Sequence, residues 1–299
     1  MQHPVQHADS SRLDVGVVGT GHVGAVLGAA LLRAGHRVVA ASGSSPASRS
    51  RAETLLPGVP LVPPAEVARR CTLLLLCVPD DALAGLVGDL AGDVRPGQLV
   101  AHVSGAHGLS VLQPLADRGA LPLALHPVLP FTGTALDLER LVGACFGVTA
   151  PEPLRPVGEA LVLETGGEPV WVADALRPLW HAALAHGANH LVALVAQSAD
   201  LLRGAGVEDP AAVLGPLLGA ALDGALRQGD AALTGPVSRG DAGTVRAHLA
   251  ALPDEARPAY VALARMTADR ALASGRLDPL KAGALLDVLG RATHDGVAT

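Results

Sequence analysis

Three glycines at G-x-G-x-x-G spacing follow the apolar run 13–18 and open a long apolar, helix-like stretch. A strand, this glycine pattern and then a helix is the arrangement that binds a dinucleotide. The glycines allow a tight turn and close approach of the backbone, so that a pyrophosphate meets the helix N-terminus. A glycine turn that only packs the helix on the strand is the alternative. The predicted contact residues are Gly19, Thr20, Gly21, His22, Val23 and Gly24.

The end of the second apolar run, residues 36–41, indicates which dinucleotide would bind. Sites for NAD usually carry Asp or Glu about 20 residues past the glycine motif, where it binds the ribose hydroxyls. Here serines are followed by Arg49 and Arg51 without a carboxylate, and hydroxyl and guanidinium groups suit a 2′-phosphate. The sequence therefore predicts NADP(H) rather than NAD(H), with solvated arginines as the alternative. The remaining predicted cofactor contacts are Ser42, Ser44, Arg49, Val78 and Pro79.

Polar residues follow three further apolar runs at the point where each run ends. Pro79-Asp80-Asp81 follows residues 72–78, Ser104 follows 98–103, and His126 follows 121–125. Open α/β sheets bind ligands outside the carboxyl ends of their strands, so Ser104 and His126 are predicted catalytic residues. Each has a structural alternative: the aspartates as helix caps, Ser104 as a turn residue and His126 as a hydrogen-bonded structural histidine.

The segment 177–202 has helical apolar spacing interrupted by His181, His186, Asn189 and His190. Asn has a poor helix propensity, so Asn189 inside a long helix needs a reason; a hydrogen bond to substrate or nicotinamide is one, and a helix contact or solvent exposure is another. At 100° per residue His181 and Asn189 are about 80° apart, so both could face one cleft. We predict a catalytic role for both. The histidines do not converge with carboxylates, and no metal site is predicted.

The elements that must position these residues change character part-way along the chain. Before residue 174, seven short apolar runs alternate with helix-like stretches, which predicts a doubly wound parallel sheet of the α/β class. After it the sequence is Ala/Leu-rich and helical to the end. We predict a Rossmann-like domain over 12–173 and an all-helical domain over 174–299. The apolar helical part suggests a homodimer through this domain; a self-contained bundle is the alternative.

Composition excludes several classes of protein. Of 299 residues, 49% are hydrophobic and 17% charged, with a formal net charge of −6 and 2% aromatics. Disorder and nucleic-acid binding are therefore not expected. No apolar run approaches the length of a membrane span. Residues 1–11 are polar and lack a signal-peptide core, so we expect a frayed tail on a cytoplasmic protein. Three cysteines without a CxxC pair suggest buried thiols in a reducing compartment.

Taken together, these residues resemble the Rossmann-like reductases with a helical C-terminal domain. That superfamily includes 6-phosphogluconate and β-hydroxyacid dehydrogenases, pyrroline-5-carboxylate reductase and ketopantoate reductase. The pairs Ser104-Gly105 and His126-Pro127, the helix WHAALAHGANHLVAL and the stretch LTGPVSRGD (233–241) are most similar to one bacterial family. It joins a Rossmann-like domain to a C-terminal domain of unknown function. Members have been proposed as an alternative ketopantoate reductase in pantothenate synthesis.

The resemblance also implies roles for single residues. In the dehydrogenases a serine after a sheet strand works with a lysine and an asparagine on the interdomain helix; Ser104 and Asn189 match the first and last. The lysine has no counterpart, because Ala185 stands four residues before Asn189. His126 or His181 would then supply the proton, since histidine titrates near neutrality.

In the stretch 233–241, Thr234 and Arg239 offer polar groups for a substrate, and Arg239 would bind a carboxylate. An Arg239–Asp241 pair that only holds the loop is the alternative.

The sequence thus predicts an NADPH-dependent reductase of a small carboxylic acid with a carbonyl group, similar to ketopantoate reductase. An imine reductase of the pyrroline-5-carboxylate type is the first alternative, because a protonated imine needs less acid help. A protein that binds NADP as a sensor without turnover is the second. No nucleic acid or membrane partner is expected.

Overall fold

The computed structural model describes residues 12–294. Residues 1–11, expected to form a frayed tail, and 295–299 lie outside this range. The chain forms two compact units, the first ending at Ala185 and the second beginning at His186. The first contains a sheet flanked by helices and the second is helical, which confirms the predicted fold class. The domain ranges 12–173 and 174–299 stay a prediction.

Each of the seven apolar runs forms a strand of one sheet. The strands are β1 Asp14–Val18, β2 Arg37–Ser42, β3 Leu73–Leu76, β4 Leu99–His102, β5 Leu121–Pro127, β6 Cys145–Thr149 and β7 Glu168–Trp171. Their order is β2-β1-β3-β4-β5-β6-β7. The strands β1 to β5 are parallel, whereas β6 pairs with β5 in the antiparallel sense and with β7 in parallel. The sheet is therefore mostly, not wholly, parallel.

Helices cover both faces of this sheet. They are α1 His22–Arg33, α2 Pro46–Leu55, α3 Pro64–Arg70, α4 Asp80–Leu90, α5 Gln113–Ala116, α6 Leu136–Arg140, α7 Arg155–Glu164 and α8 Arg177–Leu184. Two apolar clusters result, one around Val15, Val26 and Leu123 and the other around Leu74, Val87. The continuous apolar strands are explained by this burial on two sides. Since β1 to β5 run the same way, their carboxyl ends share one edge.

The second unit contains six helices among the described residues: α9 His190–Gly204, α10 Pro210–Gln228, α11 Gly235–Arg239, α12 Ala242–Ala251, α13 Arg257–Ala273 and α14 Pro279–His294. A single π-helical turn, Ala185–Asn189, precedes α9. The apolar core of this unit comes from α11 to α14 and the loops that join them. The helices α9 and α10 contribute no residue to it and carry exposed Val192, Leu217 and Leu226.

Two sequence expectations concern the chain as a whole. Within residues 12–294, no helix is long and apolar enough to cross a membrane. The cysteines are free, but only Cys71 is fully buried; Cys77 is half-buried and Cys145 is exposed. The expectation of three buried thiols is therefore wrong for Cys145, which is the first residue of β6 and lies where that strand enters the sheet.

Candidate functional site

The glycine motif forms the turn between β1 and α1, and its three glycines do different work. Gly19 has φ +95°, and a Cβ there would lie 2.4 Å from the Cys77 carbonyl oxygen. A Cβ on Gly24 would lie 2.0 Å from the Gly19 carbonyl oxygen, whereas one on Gly21 would meet nothing within 4 Å. The first and third glycines are thus required by the fold, and Gly21 leaves the approach to the helix open.

Some amide groups of this turn form hydrogen bonds within the protein, and others are left without a side-chain partner. The N–H groups of Gly19 and Thr20 both donate to the Ser42 carbonyl, and the buried Thr20 hydroxyl donates to the Ser48 carbonyl. The polar groups of Thr20 are therefore used inside the protein. No side chain caps α1, whose N-cap is Gly21, so amides at its start remain for an anion, favoured there by the helix dipole.

The residues after β2 lie at two separate places. Ser44 and Arg49 are exposed, and Nη1 of Arg49 donates to the Ser44 carbonyl over 2.7 Å. Arg51 instead approaches the glycine turn, where its Nη2 lies 2.7 Å from Nε2 of His22. The two arginines therefore have different partners, and their role at a 2′-phosphate stays a prediction.

Other predicted cofactor residues surround the same turn. Ser42 is buried as the last residue of β2, with its carbonyl bonded to the glycine turn. Val78 follows β3 and its Cγ1 lies beside Gly19. Pro79 is the N-cap of α4. Asp80 and Asp81 occupy the first turn of α4 and are not the caps that the sequence suggested. Carboxylates at this position interact favourably with the helix dipole.

Ser104 follows β4 and is buried. Its hydroxyl oxygen accepts the N–H groups of Ala106 (3.2 Å) and His107 (3.0 Å). Its carbonyl accepts a hydrogen bond from Arg177 over 2.6 Å. The expected alternative, a turn residue, is therefore realised, but because both hydroxyl lone pairs accept, the hydroxyl hydrogen is left to donate.

His126 is the last residue but one of β5, not the residue after the strand as expected, and it pairs with Gly147 of β6. Its Nδ1 is 3.2 Å from Nε1 of Trp180. Its ring stands edge-on to that of His181, with centroids 5.8 Å apart. Burial, and then the charges of Arg177 and His181, lower the pKa of His126 to about 4. At neutral pH this imidazole is uncharged.

Both histidine rings lie against Gly105, the residue after Ser104. A Cβ at Gly105 would lie 2.8 Å from Nε2 of His126 and 2.7 Å from Cδ2 of His181. Any larger residue would fill the place in front of both rings. Three of the four predicted catalytic residues, Ser104, His126 and His181, thus meet at the carboxyl end of the sheet.

The fourth predicted catalytic residue, Asn189, belongs to the second unit. It is exposed and ends the π turn Ala185–Asn189. A π turn changes the number of residues per turn, so the helical-wheel argument that placed His181 and Asn189 about 80° apart does not hold. His186 and His190 are also exposed and contact each other, with Nδ1 atoms 3.0 Å apart.

The predicted substrate residues Thr234 and Arg239 also belong to the second unit. Thr234 is the N-cap of α11 and lines a cavity of about 330 Å³, together with Ser198, His248 and Tyr260. Arg239 is the exposed last residue of α11. Asp241 caps α12 by accepting the Thr244 N–H at 3.0 Å, and the nearby charge of Arg239 helps to lower its pKa after the hydrogen bonds from Thr244.

Sequence reasoning missed two residues of the cluster, Arg177 and Trp180. Arg177 is fully buried, and its guanidinium donates to the carbonyls of Ser104 and Gly147 and to the Thr149 hydroxyl. Burial lowers its pKa to about 10. The signal was present: an arginine opening an apolar helix, and a tryptophan directly before His181 in a chain with two tryptophans.

Comparison with known families matches two successive parts of the chain, and the second match begins within the first compact unit. Residues 1–127 match the model of a Rossmann-like domain, and residues 144–267 match DUF2520, a domain of unknown function. This confirms the expected pairing of a Rossmann-like domain with a C-terminal domain of unknown function. No curated protein matches the chain.

Solved structures share the fold of the Rossmann-like and DUF2520 parts together. A candidate NADP oxidoreductase from Bacteroides fragilis is 21% identical, with a TM-score of 0.73 over 86% of this chain and 98% of that one. Pyrroline carboxylate reductase from Plasmodium falciparum, solved with NADP, is 10% identical, with a TM-score of 0.58 over 88% and 97%. The reductive aminase from Aspergillus terreus, solved with NADPH and ethyl-5-oxohexanoate, is 17% identical, with a TM-score of 0.57 over 96% and 95%.

Proposed function

We propose that this protein is an NADP(H)-dependent oxidoreductase that delivers hydride to the carbonyl of a small carboxylic acid. Ketopantoate reduction, within pantothenate biosynthesis, is the specific candidate implied by the family resemblance. The observation that carries the proposal is that an open glycine turn and the cluster Ser104, His126 and His181 lie at the same edge of one sheet. The fold is shared with structures solved with NADP and NADPH.

The residues at the glycine turn fit a dinucleotide. Gly21 leaves open space above the start of α1, where the uncapped amides of Gly21, His22 and Val23 would hold the pyrophosphate. Ser44 and Arg49 would hold the 2′-phosphate. Bound NADPH supplies the hydride, as a nicotinamide cofactor does in any such reaction.

Side chains of the protein would bind the substrate and stabilise the negative charge that forms on its oxygen. Reduction of a ketone leaves negative charge on oxygen, and the Ser104 hydroxyl with Nε2 of His126 would donate hydrogen bonds to it. His181, edge-on to His126, would supply the proton. We further propose that Asn189, Thr234 and Arg239 bind the substrate, with Arg239 on its carboxylate.

One observation favours imine reduction as a second candidate. A neutral His126, with a pKa of about 4, is a weak acid at neutral pH, and a protonated imine needs less help from an acid than a ketone does. The fold is also that of a pyrroline carboxylate reductase and a reductive aminase.

The test is NADPH oxidation by the purified protein with ketopantoate, other branched 2-keto acids, pyrroline-5-carboxylate and succinic semialdehyde. We expect saturable turnover with ketopantoate. Ser104→Ala and His181→Ala should lower turnover by about 10²-fold or more while NADPH still binds, and Ser110→Ala, an exposed serine, serves as the control. Turnover with the imine alone would select the second candidate. NADPH binding without any turnover would favour a sensor.

We also propose a homodimer formed through the second unit. The helices α9 and α10 stand outside its core, and Val192, Leu217 and Leu226 on them are 70%, 62% and 79% exposed. Apolar side chains in such number on one helix pair are typical of an interface. A second copy of this helix pair would bury them in both protomers.

The double variant Leu217→Glu, Leu226→Glu should halve the molecular mass in solution, as measured by light scattering after gel filtration. Leu280→Glu is the matched control, because Leu280 on α14 is 90% exposed and stands outside the α9–α10 pair. A monomeric parent protein, or a dimer that survives the double change, would exclude this interface.

A further inference from the structure

The hydrogen bond between Trp180 and His126 constrains where the imidazole carries its hydrogen. An indole N–H only donates, so Nδ1 of His126, 3.2 Å away, must accept. In the neutral ring the hydrogen is therefore on Nε2. An imidazolium carries hydrogen on both nitrogens, and its Nδ1–H would face the indole N–H. The contact favours one tautomer and disfavours the charged form.

Trp180 can take this position because the facing residue of β6, Gly147, has no side chain. A Cβ on Gly147, the residue that pairs with His126, would lie 2.8 Å from Cε2 of the indole. Glycine at this position lets the indole pack directly on the strand beside His126.

Arg177 fixes the chain on both sides of the same imidazole. Its guanidinium donates to the Ser104 carbonyl at 2.6 Å and to the Gly147 carbonyl at 3.3 Å. Within residues 12–294, no carboxylate lies within ion-pair distance of it, and its Nε has no hydrogen-bond partner. The charges of Asp174 and Asp80 reach it from a longer distance, so the buried guanidinium has no directly paired carboxylate and its charge disfavours a second positive charge nearby.

The other ring nitrogen of His126 faces the candidate substrate space. Nε2 has no hydrogen-bond partner within the described part of the chain, and it lies in front of Gly105, where a Cβ would come within 2.8 Å. The absence of a side chain at Gly105 leaves the Nε2–H available to an incoming group.

We propose that Trp180 and Arg177 are positioning residues that hold His126 as a neutral imidazole with its Nε2–H directed at the substrate oxygen. His126 is then a hydrogen-bond donor, and the proton comes from His181. This inference rests on the proposed function. As the carbonyl carbon accepts hydride, the C=O π pair moves to oxygen, where Nε2–H and the Ser104 hydroxyl stabilise it. The oxygen then takes a proton from the protonated imidazole of His181, which is left neutral and later takes up a proton from the solvent.

The charges around His126 agree with this assignment. Burial lowers its pKa most, Arg177 and His181 of α8 lower it further, and Asp80 of α4 raises it. The balance leaves the pKa at about 4, so the ring is neutral throughout the physiological range.

The first experiment is ¹⁵N NMR of the whole protein with labelled histidine, recorded without substrate, the His126 signals being assigned by their loss in His126→Gln. We expect an unprotonated Nδ1 and a protonated Nε2 at pH 7. Trp180→Phe should populate the other tautomer and raise the midpoint of titration by about one pH unit or more. Trp171→Phe is the control. A protonated Nδ1 at pH 7, or a titration unaffected by Trp180→Phe, would overturn the proposal.

Kinetics separate a donor from an acid. Glutamine keeps an N–H near the place of Nε2 and cannot titrate, so His126→Gln should lower kcat by about tenfold and His126→Ala by about 10²–10³-fold. Equal losses in the two variants would refute the donor role. Failure of every substrate to turn over, with the NMR result as expected, would contradict the proposed function and leave the tautomer assignment standing.

Discussion

At the end of β1 the candidate site is made of backbone. The glycine turn there is shaped by close contacts between main-chain atoms, and it presents amides. At the ends of β4 and β5 the site is made of side chains that hydrogen bonds hold in place: the His126 ring accepts from Trp180, and the Ser104 carbonyl accepts from the Arg177 side chain. A site of the first kind fails when atoms collide. A site of the second kind fails when a hydrogen bond is lost or a charge appears.

The largest expected effect is steric and lies in the backbone-made part. Gly24→Ala places a Cβ 2.0 Å from the Gly19 carbonyl oxygen, and we expect a loss of about 3 kcal/mol or more in the free energy of unfolding. Gly21→Ala meets no neighbour and should leave stability unchanged while weakening NADPH binding by about tenfold or more, or about 1.4 kcal/mol. Denaturant unfolding and NADPH titration of both variants measure this contrast, and similar stabilities would contradict it.

The side-chain-made part should respond to acid. Burial first, then the charge of Arg177, lowers the pKa of both His102 and His126 to about 4. Below pH 6.5 the unfolded chain binds protons that the folded chain does not, so stability falls as the pH drops from about 6.5 to 4 and levels off below that. Each histidine contributes up to about 3 kcal/mol.

The measurement is the free energy of unfolding against pH for the parent and for His102→Gln. Glutamine retains the donor to the Gly108 carbonyl that Nε2 of His102 provides but does not titrate. The variant should lose about half of the acid dependence. An unchanged slope would show that His102 titrates normally.

The smallest expected effect tests whether the two arginines of α2 act at different places. Arg49→Ala should weaken NADPH binding by about tenfold, the worth of a charged hydrogen bond, and leave NADH binding unchanged. The guanidinium of Arg51 contacts His22, so Arg51→Ala should weaken the binding of NADPH and of NADH by the same factor. If both variants lost the preference for NADPH over NADH equally, both arginines would bind the 2′-phosphate.

The sequence predicted the backbone-made part better than the side-chain-made part. The glycine spacing determines the turn locally, and apolar runs determine strands, so all seven strands and the turn could be placed. Strand direction is not contained in apolar periodicity, and the antiparallel β6 was missed for that reason. Arg49 and Arg51 are two apart on a helix and therefore point about 200° apart, which a reading of adjacent charges overlooks.

The local sequence marks Arg177 and Trp180 as unusual residues of an apolar helix, but it does not show what they contact. Their importance depends on α8 packing against β5 and β6, where Gly147 admits the indole and Ser104 offers its carbonyl. Ser104, His126 and His181 could be proposed because strand ends at one sheet edge meet. The sheet topology places these strand ends together, whereas the hydrogen bonds of Arg177 and Trp180 depend on packing between elements far apart in the sequence.

The contact of Trp180 with His126 also gives the protein an optical reporter. The chain has two tryptophans, and the other, Trp171, stacks under Arg155. A charged imidazole quenches indole emission more than a neutral one, and reduced nicotinamide absorbs where indole emits. In a Trp171→Phe protein the remaining tryptophan fluorescence therefore comes from the candidate site alone. Its intensity would follow both the titration of His126 and the arrival of a reduced cofactor, without any substrate being known.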